Sequence, residues 1–394
     1  MKILLISFYF PPDLSAGSFR SMALVTSLLE VDKNLEIEVF TTTPNRYKSF
    51  KDYSDDKFIN KRVKIKQFKV PDHKGGIRDQ AISFLTFAKA VNKEARDRDW
   101  DIIFATSSRL MTAVLGASIA KRKKIPLYLD IRDLFIDSIK SIYSNNLIIK
   151  TLIPLFSFLE KNTFKTATKI NLVSHGFNDY VKEIVPNLHL TNFTNGIDNN
   201  FLSYDFKKSK GISKKIEILY AGNIGTGQGL HKIIPAAAKK LNDKVNFKVI
   251  GDGSSKKYLI ESLSSYRIDN VELIDPISRD SLNDYYKNAD ILFLHLNDYE
   301  AYKKVLPSKL FEYASTNKPI LAGVSGFARD FIIENISDVK IFNPCNVEEM
   351  ILGLEKIYES NRGIDRELFC KKYARNSIMK EMALDIISIK NEKY

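Results

Sequence analysis

The sequence predicts two doubly wound α/β domains, each a parallel sheet with helices on both faces. Three observations predict it. Short continuous apolar runs recur, such as Ile3–Tyr9, Ile102–Ala105 and Ile216–Ala221, of the kind buried on both faces of a parallel sheet. Between them lie segments with apolar residues at helical spacing, so strands and helices alternate through short loops. The alternation pauses once, at the polar, lysine-rich segment 205–215, which lacks periodicity and suits a linker. The expected division is a first domain over 1–203, a second over 204–375, and a terminal helix at 376–394 packing back on the first.

In chain order, the first strand ends in a loop, Pro11–Ser18, that contains Ala16-Gly17-Ser18 and leads into a helix near Phe19–Leu29. A strand at Glu36–Thr41, a polar excursion through Lys57, a strand at Val63–Phe68 and a helix near Asp79–Arg96 follow. Ile102–Ala105, a helix at Leu110–Lys121 and a strand at Leu127–Asp130 lead to the polar loop Ile131-Arg132-Asp133-Leu134. The segment Leu147–Lys169 is the most apolar helix candidate, with Lys150, Lys161, Lys165 and Lys169 around it. It reads either as a buried core helix or as an interfacial helix whose basic residues frame an apolar surface on an anionic leaflet. Strands at Ile170–Val173 and Leu190–Phe193, and a turn at Thr194–Asp198, complete this half.

The second series opens with a strand at Ile216–Ala221 and the most glycine-dense loop in the chain, Gly222 to Gly229. Glycines there permit positive φ and close backbone approach to a pyrophosphate, with a helix at Leu230–Leu241 behind. A strand at Asn246–Ile250 runs into Gly251-Asp252-Gly253-Ser254, and strands at Val271–Ile274 and Ile291–Leu294 follow. The stretch Leu306–Ala322, LPSKLFEYASTNKPILA, reads as a loop, a helix opened by Ser308, and a buried strand. It combines a helix N-terminus suited to phosphate, the Ser308 hydroxyl, the Lys309 ammonium, and a carboxylate, Glu312, able to accept from sugar hydroxyls. Helices near Val347–Glu359 and Ser377–Ile389 end the chain.

Composition narrows the class. The chain has 394 residues, 44% hydrophobic and 27% charged, which supports real cores. The opening apolar run is cut by Pro11 and Pro12, so it reads as a strand rather than a signal peptide. No apolar run approaches the roughly 20 residues that span a bilayer. Two cysteines, Cys345 and Cys370, give neither a disulfide framework nor metal-ligand spacing. A cytoplasmic location is expected, with a peripheral position on the inner face of the plasma membrane left open. The net charge of +13 implies an anionic partner, but no nucleic-acid signature accompanies it. The five histidines are scattered and read as structural, and no Ser-His-Asp order or P-loop is present.

Taken together, GIDNN after a strand, the YAGNIGTGQGL loop, the IGDGS turn, LDIRDLF and VLPSKLFEYASTNKPILA resemble retaining glycosyltransferases of the GT-B fold, in glycosyltransferase family four. They are most similar to bacterial O-antigen and capsule enzymes of the N-acetylfucosaminyltransferase-like type. That resemblance implies two Rossmann-like domains facing a central cleft, an acceptor-binding first domain and a nucleotide-sugar-binding second one. It implies transfer from a nucleotide sugar, UDP-linked and carrying an N-acetylated sugar, to a glycan or polyprenyl-diphosphate-linked acceptor, with no metal. Carried over by residue, Glu312 matches the second Glu of the E-x7-E motif, expected on the ribose hydroxyls. Pro307, Ser308, Lys309 and Leu310 match the segment facing the diphosphate. Asn223, Gly225 and Gln228 match the phosphate-contacting loop, with Gly251 and Gly253 on the donor side, and Gly17 and Ser18 match the first-domain loop facing the donor phosphates. Arg132 and Asn195 are expected on the acceptor.

The chain departs from the family pattern at two places. Lys304 stands where the first Glu of the motif belongs, and Asn223 and Gln228 stand where many members carry Arg and Lys. Lys303, Lys304, Lys309 and Arg329 are the candidates to replace that charge. The expected mechanism is electrostatic, with Lys309 and backbone amides neutralising the departing nucleoside diphosphate and front-face attack rather than a two-carboxylate scheme. Asp133 is the candidate for activating the acceptor hydroxyl, with helix cap or ion-pair partner as its plain alternative. A nucleotide-sugar epimerase of related fold, a non-catalytic nucleotide-sugar-binding subunit and, on charge alone, a nucleic-acid-binding protein are the rival classes.

Overall fold

The structure is a computed structural model that describes residues 1–13, 15–45, 60–71, 77–107, 109–143, 146–207, 215–359 and 364–391. The polar excursion 46–59, His73 and most of the expected linker, 208–214, lie outside the described residues. The chain divides into two compact units. One combines the described residues up to Asn195 with those from Arg375 onward, and the other is Gly196–Ala374. The division falls upstream of the expected 203/204 boundary because Ile197 and Phe201 are buried in the core of the second unit.

The first unit carries seven parallel strands, β1 (Lys2–Ile6), β2 (Glu36–Thr42), β3 (Val63–Phe68), β4 (Ile102–Thr106), β5 (Leu127–Ile131), β6 (Lys169–Leu172) and β7 (Leu190–Thr191). Their order is β3-β2-β1-β4-β5-β6-β7, so the direction of winding reverses beside β1. Five of its helices are α1 (Ala16–Val31), α2 (Ile77–Glu94), α3 (Leu110–Lys123), α4 (Phe135–Ile142) and α5 (Leu147–Thr166). Right-handed crossovers put α2 and α3 on one face of the sheet and α1 on the other. The helix α5 joins α3, and the terminal helix Arg375–Ser388 packs on α1.

Ser15 caps α1 by accepting from the Ser18 amide at 3.1 Å. Gly17 and Ser18 therefore sit buried in the first helical turn rather than in the loop the sequence suggested. The expectation for α5 divides along its length. Glu160, Thr163 and Phe164 are buried, while Leu147, Leu152, Leu155 and Phe158 are 76%, 42%, 54% and 62% exposed. It is thus buried only towards its C-terminal end, and the elements it packs with are α3 and α4. Lys169 does not belong to the basic frame. It is buried, and its ammonium donates to Asp385 at 3.0 Å and Ser388 at 2.9 Å in the terminal helix.

The second unit is a six-stranded parallel sheet of β8 (Ile216–Ala221), β9 (Val245–Ile250), β10 (Val271–Ile274), β11 (Ile291–His295), β12 (Ile320–Gly323) and β13 (Val339–Phe342), in the order β10-β9-β8-β11-β12-β13. Successive residues of a strand enter different cores. Leu219, Ala221, Leu292 and Leu294 enter one; Ile218, Tyr220, Ile291 and Phe293 enter the other. That double burial is why these strands read as unbroken apolar runs. Strand β13 and the helix before it, Phe327–Asn335, were not expected from the sequence, since β13 lies at the edge and is mostly half-buried. Arg366 closes this end of the unit by donating to the carbonyls of Ser337, Lys318 and Asp338 at 2.8–3.3 Å. Burial, set against nearby Asp338, draws its guanidinium down to about 10.

Candidate functional site

The loops that leave β8 and β9 are packed against one another. The Ile224 amide donates to the Asp252 carbonyl at 2.9 Å, and the Ser255 amide returns to the Ile224 carbonyl at 2.9 Å. This contact requires glycine. Gly251 and Gly253 have φ of 144° and 159°, and a Cβ on Gly251 would lie 1.9 Å from the Gly222 carbonyl oxygen. Strand-end loops of a parallel sheet are where such folds hold ligands.

Asn223 and Gln228, the expected nucleotide-facing side chains, are hydrogen-bonded to one another within this loop. The Gln228 side-chain oxygen accepts from Asn223 Nδ2 at 2.8 Å and from the Gly225 amide at 3.2 Å. The loop is also held from beneath. Asn297 donates to the Thr226 carbonyl at 2.9 Å and accepts from the Lys232 ammonium at 3.0 Å. His295, at the end of β11, is 1% exposed; its Nδ1 is 2.6 Å from the Gln228 carbonyl, and its Nε2 receives the Cys345 amide at 2.9 Å. A carbonyl only accepts and an amide only donates, so the proton is on Nδ1 and the ring is neutral. Burial draws its pKa down to about 4, against the Gln228 contact and with help from Lys232.

The helix Lys309–Ser315 supplies the remaining groups. It spans seven residues, and the amides of Leu310 and Phe311 turn back to the carbonyls of Pro307 and Ser308 at 3.1 and 3.2 Å. The Ser308 side chain makes no capping bond. Lys309 adds a side-chain cation at this helix start. A Cβ on Gly222 would meet Lys309 Cε at 3.4 Å, which lays the lysine stem along the glycine loop. Its ammonium donates to Glu312 Oε2 at 2.8 Å.

Glu312 is 6% exposed and also accepts from the Tyr286 hydroxyl at 3.2 Å. Burial first, and the Glu312 charge second, hold that phenol well above its usual range, so it stays a donor. Arg279 faces the other oxygen of Glu312 at 3.5 Å and pairs with Asp198. In this geometry Glu312 holds Lys309 in place. Arg279, Tyr286, His295 and Lys232 were not among the sequence candidates. The two carboxylates at 198 and 312 were the available signal, since a buried acid calls for a cation.

Of the other cations considered, Lys303 pairs with Glu300 at 2.5 Å and Arg329 reaches Asn343 at 3.4 Å, both at exposed positions. The first unit contains the rest of the candidates. Arg132 donates to Asn195 Oδ1 at 3.3 Å, and Asp133, next in the chain, is exposed and raises the basicity of Arg132 by its charge. Among the described residues, no group of three or more His, Cys, Asp or Glu side chains is placed to hold a metal ion.

Two parallel sheets wound with helices, as found here, are the architecture of GT-B type glycosyltransferases. Residues 204–377, which include every element of the second-unit site except the Asp198 turn, match the family model described as Glycosyl transferases group 1. Among curated proteins, the chain is 25% identical over 178 residues to WcaI of Escherichia coli (strain K12), which carries the name of a colanic acid biosynthesis glycosyl transferase. That alignment spans 44% of this chain and 43% of WcaI. Among solved structures, Anabaena Alr3699/HepE in complex with UDP-glucose superposes with a TM-score of 0.66 at 13% identity, covering 99% of this chain and 100% of that one. A Listeria monocytogenes protein described as a UDP-N-acetylglucosamine 2-epimerase superposes with a TM-score of 0.58 at 13% identity, covering 100% and 97%. Both likenesses are of fold.

Proposed function

We propose that the protein is a retaining glycosyltransferase that moves a sugar from a UDP-linked donor to a glycan or polyprenyl-diphosphate-linked acceptor in the synthesis of a bacterial surface polysaccharide such as O-antigen or capsule. The observation that carries the reading is Lys309. Its ammonium is fixed by buried Glu312 and its stem lies on Gly222, the geometry needed to neutralise a departing diphosphate. The group 1 match over the same residues favours transfer over epimerisation. The name of WcaI supports polysaccharide synthesis, and the UDP-glucose complex of HepE supports a UDP donor. In the first unit, Asp133 is the group assigned to the acceptor hydroxyl, with Arg132 and Asn195 beside it.

Incubation with radiolabelled UDP-N-acetylhexosamine and a polyprenyl-diphosphate-sugar acceptor tests this. Label appearing in the lipid phase only when acceptor is present is expected. Rapid conversion of the donor to its epimer without acceptor would refute transfer. Replacing Lys309 by Ala removes a charge-assisted contact worth about 1.5–3 kcal/mol, so donor affinity is expected to fall by roughly tenfold to hundredfold in a calorimetric titration.

The same reading places the protein on the inner face of the membrane. Exposed Leu147, Leu152, Leu155 and Phe158 on α5 have exposed Lys150, Lys161 and Lys165 near them. Exposed Ile82 and Leu85 of α2 lie on the same side of the sheet. Among the described residues no helix is long and apolar enough to cross a membrane, so the contact proposed is interfacial. Sedimentation with anionic liposomes is expected, falling roughly fivefold for each of Lys150, Lys161 and Lys165 neutralised, at about 1 kcal/mol per lysine. Unchanged sedimentation of the triple variant would count against it.

A further inference from the structure

The strand ends of the first sheet contain a positive charge with unfinished hydrogen bonding. Strand β5 brings Asp130 there, and Arg132 follows it. The Asp130 carboxylate is fully engaged: Oδ2 accepts from Arg20 Nε at 2.9 Å, and Oδ1 accepts from Arg20 Nη2 at 3.0 Å and Asn171 Nδ2 at 2.7 Å. Arg20 completes its own fork on the carbonyls of Phe193 and Thr194 at 2.7 and 2.5 Å. Arg132 has no such complement. Its amide donates to Ser107 Oγ at 2.9 Å and its Nη2 to Asn195 Oδ1 at 3.3 Å, while its Nη1 is enclosed without a partner. The hydroxyls of Thr194, beside Asn195, and of Thr106, opposite Asp130 in the sheet register, are likewise buried and unpaired.

Arg20 and Asp130 neutralise one another, and the further acid whose charge reaches Arg132 is Asp133, which is exposed. Burial is the main influence drawing the Arg132 guanidinium down, Arg20 adds to that, and Asp130 and Asp133 oppose it. An enclosed charged donor with no acceptor is costly, and the carboxyl ends of parallel strands are where such sheets meet ligands. A guanidinium fork matches phosphate oxygens.

We propose that Arg132 is a specificity-determining residue that binds a phosphoryl group of a substrate, with Asn195 orienting its guanidinium. This deepens the transferase reading and depends on it only for the source of the phosphate, which is either the donor's own diphosphate or a phosphate carried by the acceptor.

Inorganic pyrophosphate titrated calorimetrically into the full chain, with and without saturating UDP, separates these sources. If the acceptor supplies the group, Arg132-dependent binding persists with UDP bound; if the donor supplies it, UDP abolishes that binding. In the arm where wild type binds, Arg132→Gln is expected to weaken pyrophosphate at least tenfold, and Arg132→Lys to retain part of the affinity. Asn195→Asp supplies an internal counter-charge without removing the guanidinium, and is expected to weaken pyrophosphate at least tenfold while raising Tm. A merely structural Arg132 would leave both affinities unchanged. Wild-type pyrophosphate affinity in Arg132→Gln, or in Asn195→Asp, overturns the proposal. If wild type ignores UDP but still binds pyrophosphate through Arg132, the anion site stands and the UDP-transferase reading falls.

Discussion

Replacing Arg20 by Met is expected to destabilise the first unit by about 3–5 kcal/mol, because it leaves the Asp130 carboxylate buried without its counter-ion. The two side chains are 1% and 3% exposed and meet through two hydrogen bonds of 2.9 and 3.0 Å. In Arg20→Met, Asn171 alone would remain on that carboxylate. The same guanidinium also satisfies the carbonyls of Phe193 and Thr194, which carry the chain from β7 to the end of the unit. For a domain of this size the loss corresponds to a fall in Tm on the order of 10 °C. Combining Arg20→Met with Asp130→Leu removes the stranded charge and is expected to recover part of the loss; the double-mutant cycle in calorimetric unfolding reads that coupling. A Tm within 2 °C of wild type for Arg20→Met would show that the pair does not hold the unit together.

The second unit is expected to lose about 3 kcal/mol of stability between pH 6.5 and about pH 4 through His295 alone. In the unfolded chain this imidazole takes up a proton near 6.5, whereas in the fold burial delays uptake to about 4. Over that window the unfolded state binds more protons, so stability is full above 6.5, declines as pH falls, and levels off below the folded value. The structural reason is the pair of bonds the neutral ring makes. Protonation of Nε2 would set an N–H against the Cys345 amide, which donates to that nitrogen at 2.9 Å. The contact that would be lost is the one to Cys345, while Nδ1 would keep its hydrogen bond to the Gln228 carbonyl. Denaturant unfolding as a function of pH is expected to be flatter in His295→Gln over this interval, by the amount the histidine contributes. An unchanged slope would remove His295 from this role.

What the sequence made legible was what local pattern determines. Double burial of parallel strands produces continuous apolar runs, so β8 falls where the residues place it, and helical spacing does the same for Val347–Glu359. Strand β13 escaped because its four residues carry little periodicity and three of them are only half-buried, although β10, at the opposite edge, was read. Long-range pairings were illegible for a different reason. Arg20 and Asp130 are 110 positions apart, and Arg279 acquires meaning only when folding brings it to Asp198 and Glu312. Side-chain direction was the third gap. Asn223 and Gln228 lie in the expected loop and are hydrogen-bonded to each other, and Lys169, read with the basic helix, opens β6 and turns inward to Asp385. Lys309 was legible as a candidate, while its fixing by Glu312 required the helix spacing and the buried environment together.

The most direct test of the proposed function is a thermal-shift measurement across UDP-, GDP- and dTDP-linked sugars, made on wild type and on Lys309→Ala. At one hundred times Kd, binding stabilises the fold by about 2.7 kcal/mol, which for a domain of this size raises Tm by roughly 5–10 °C. A selective rise of that order with a UDP-sugar is predicted, reduced by the tenfold or greater weakening expected of Lys309→Ala. No shift with any nucleotide sugar, or an equal shift in the Lys309→Ala variant, would contradict the assignment of this site.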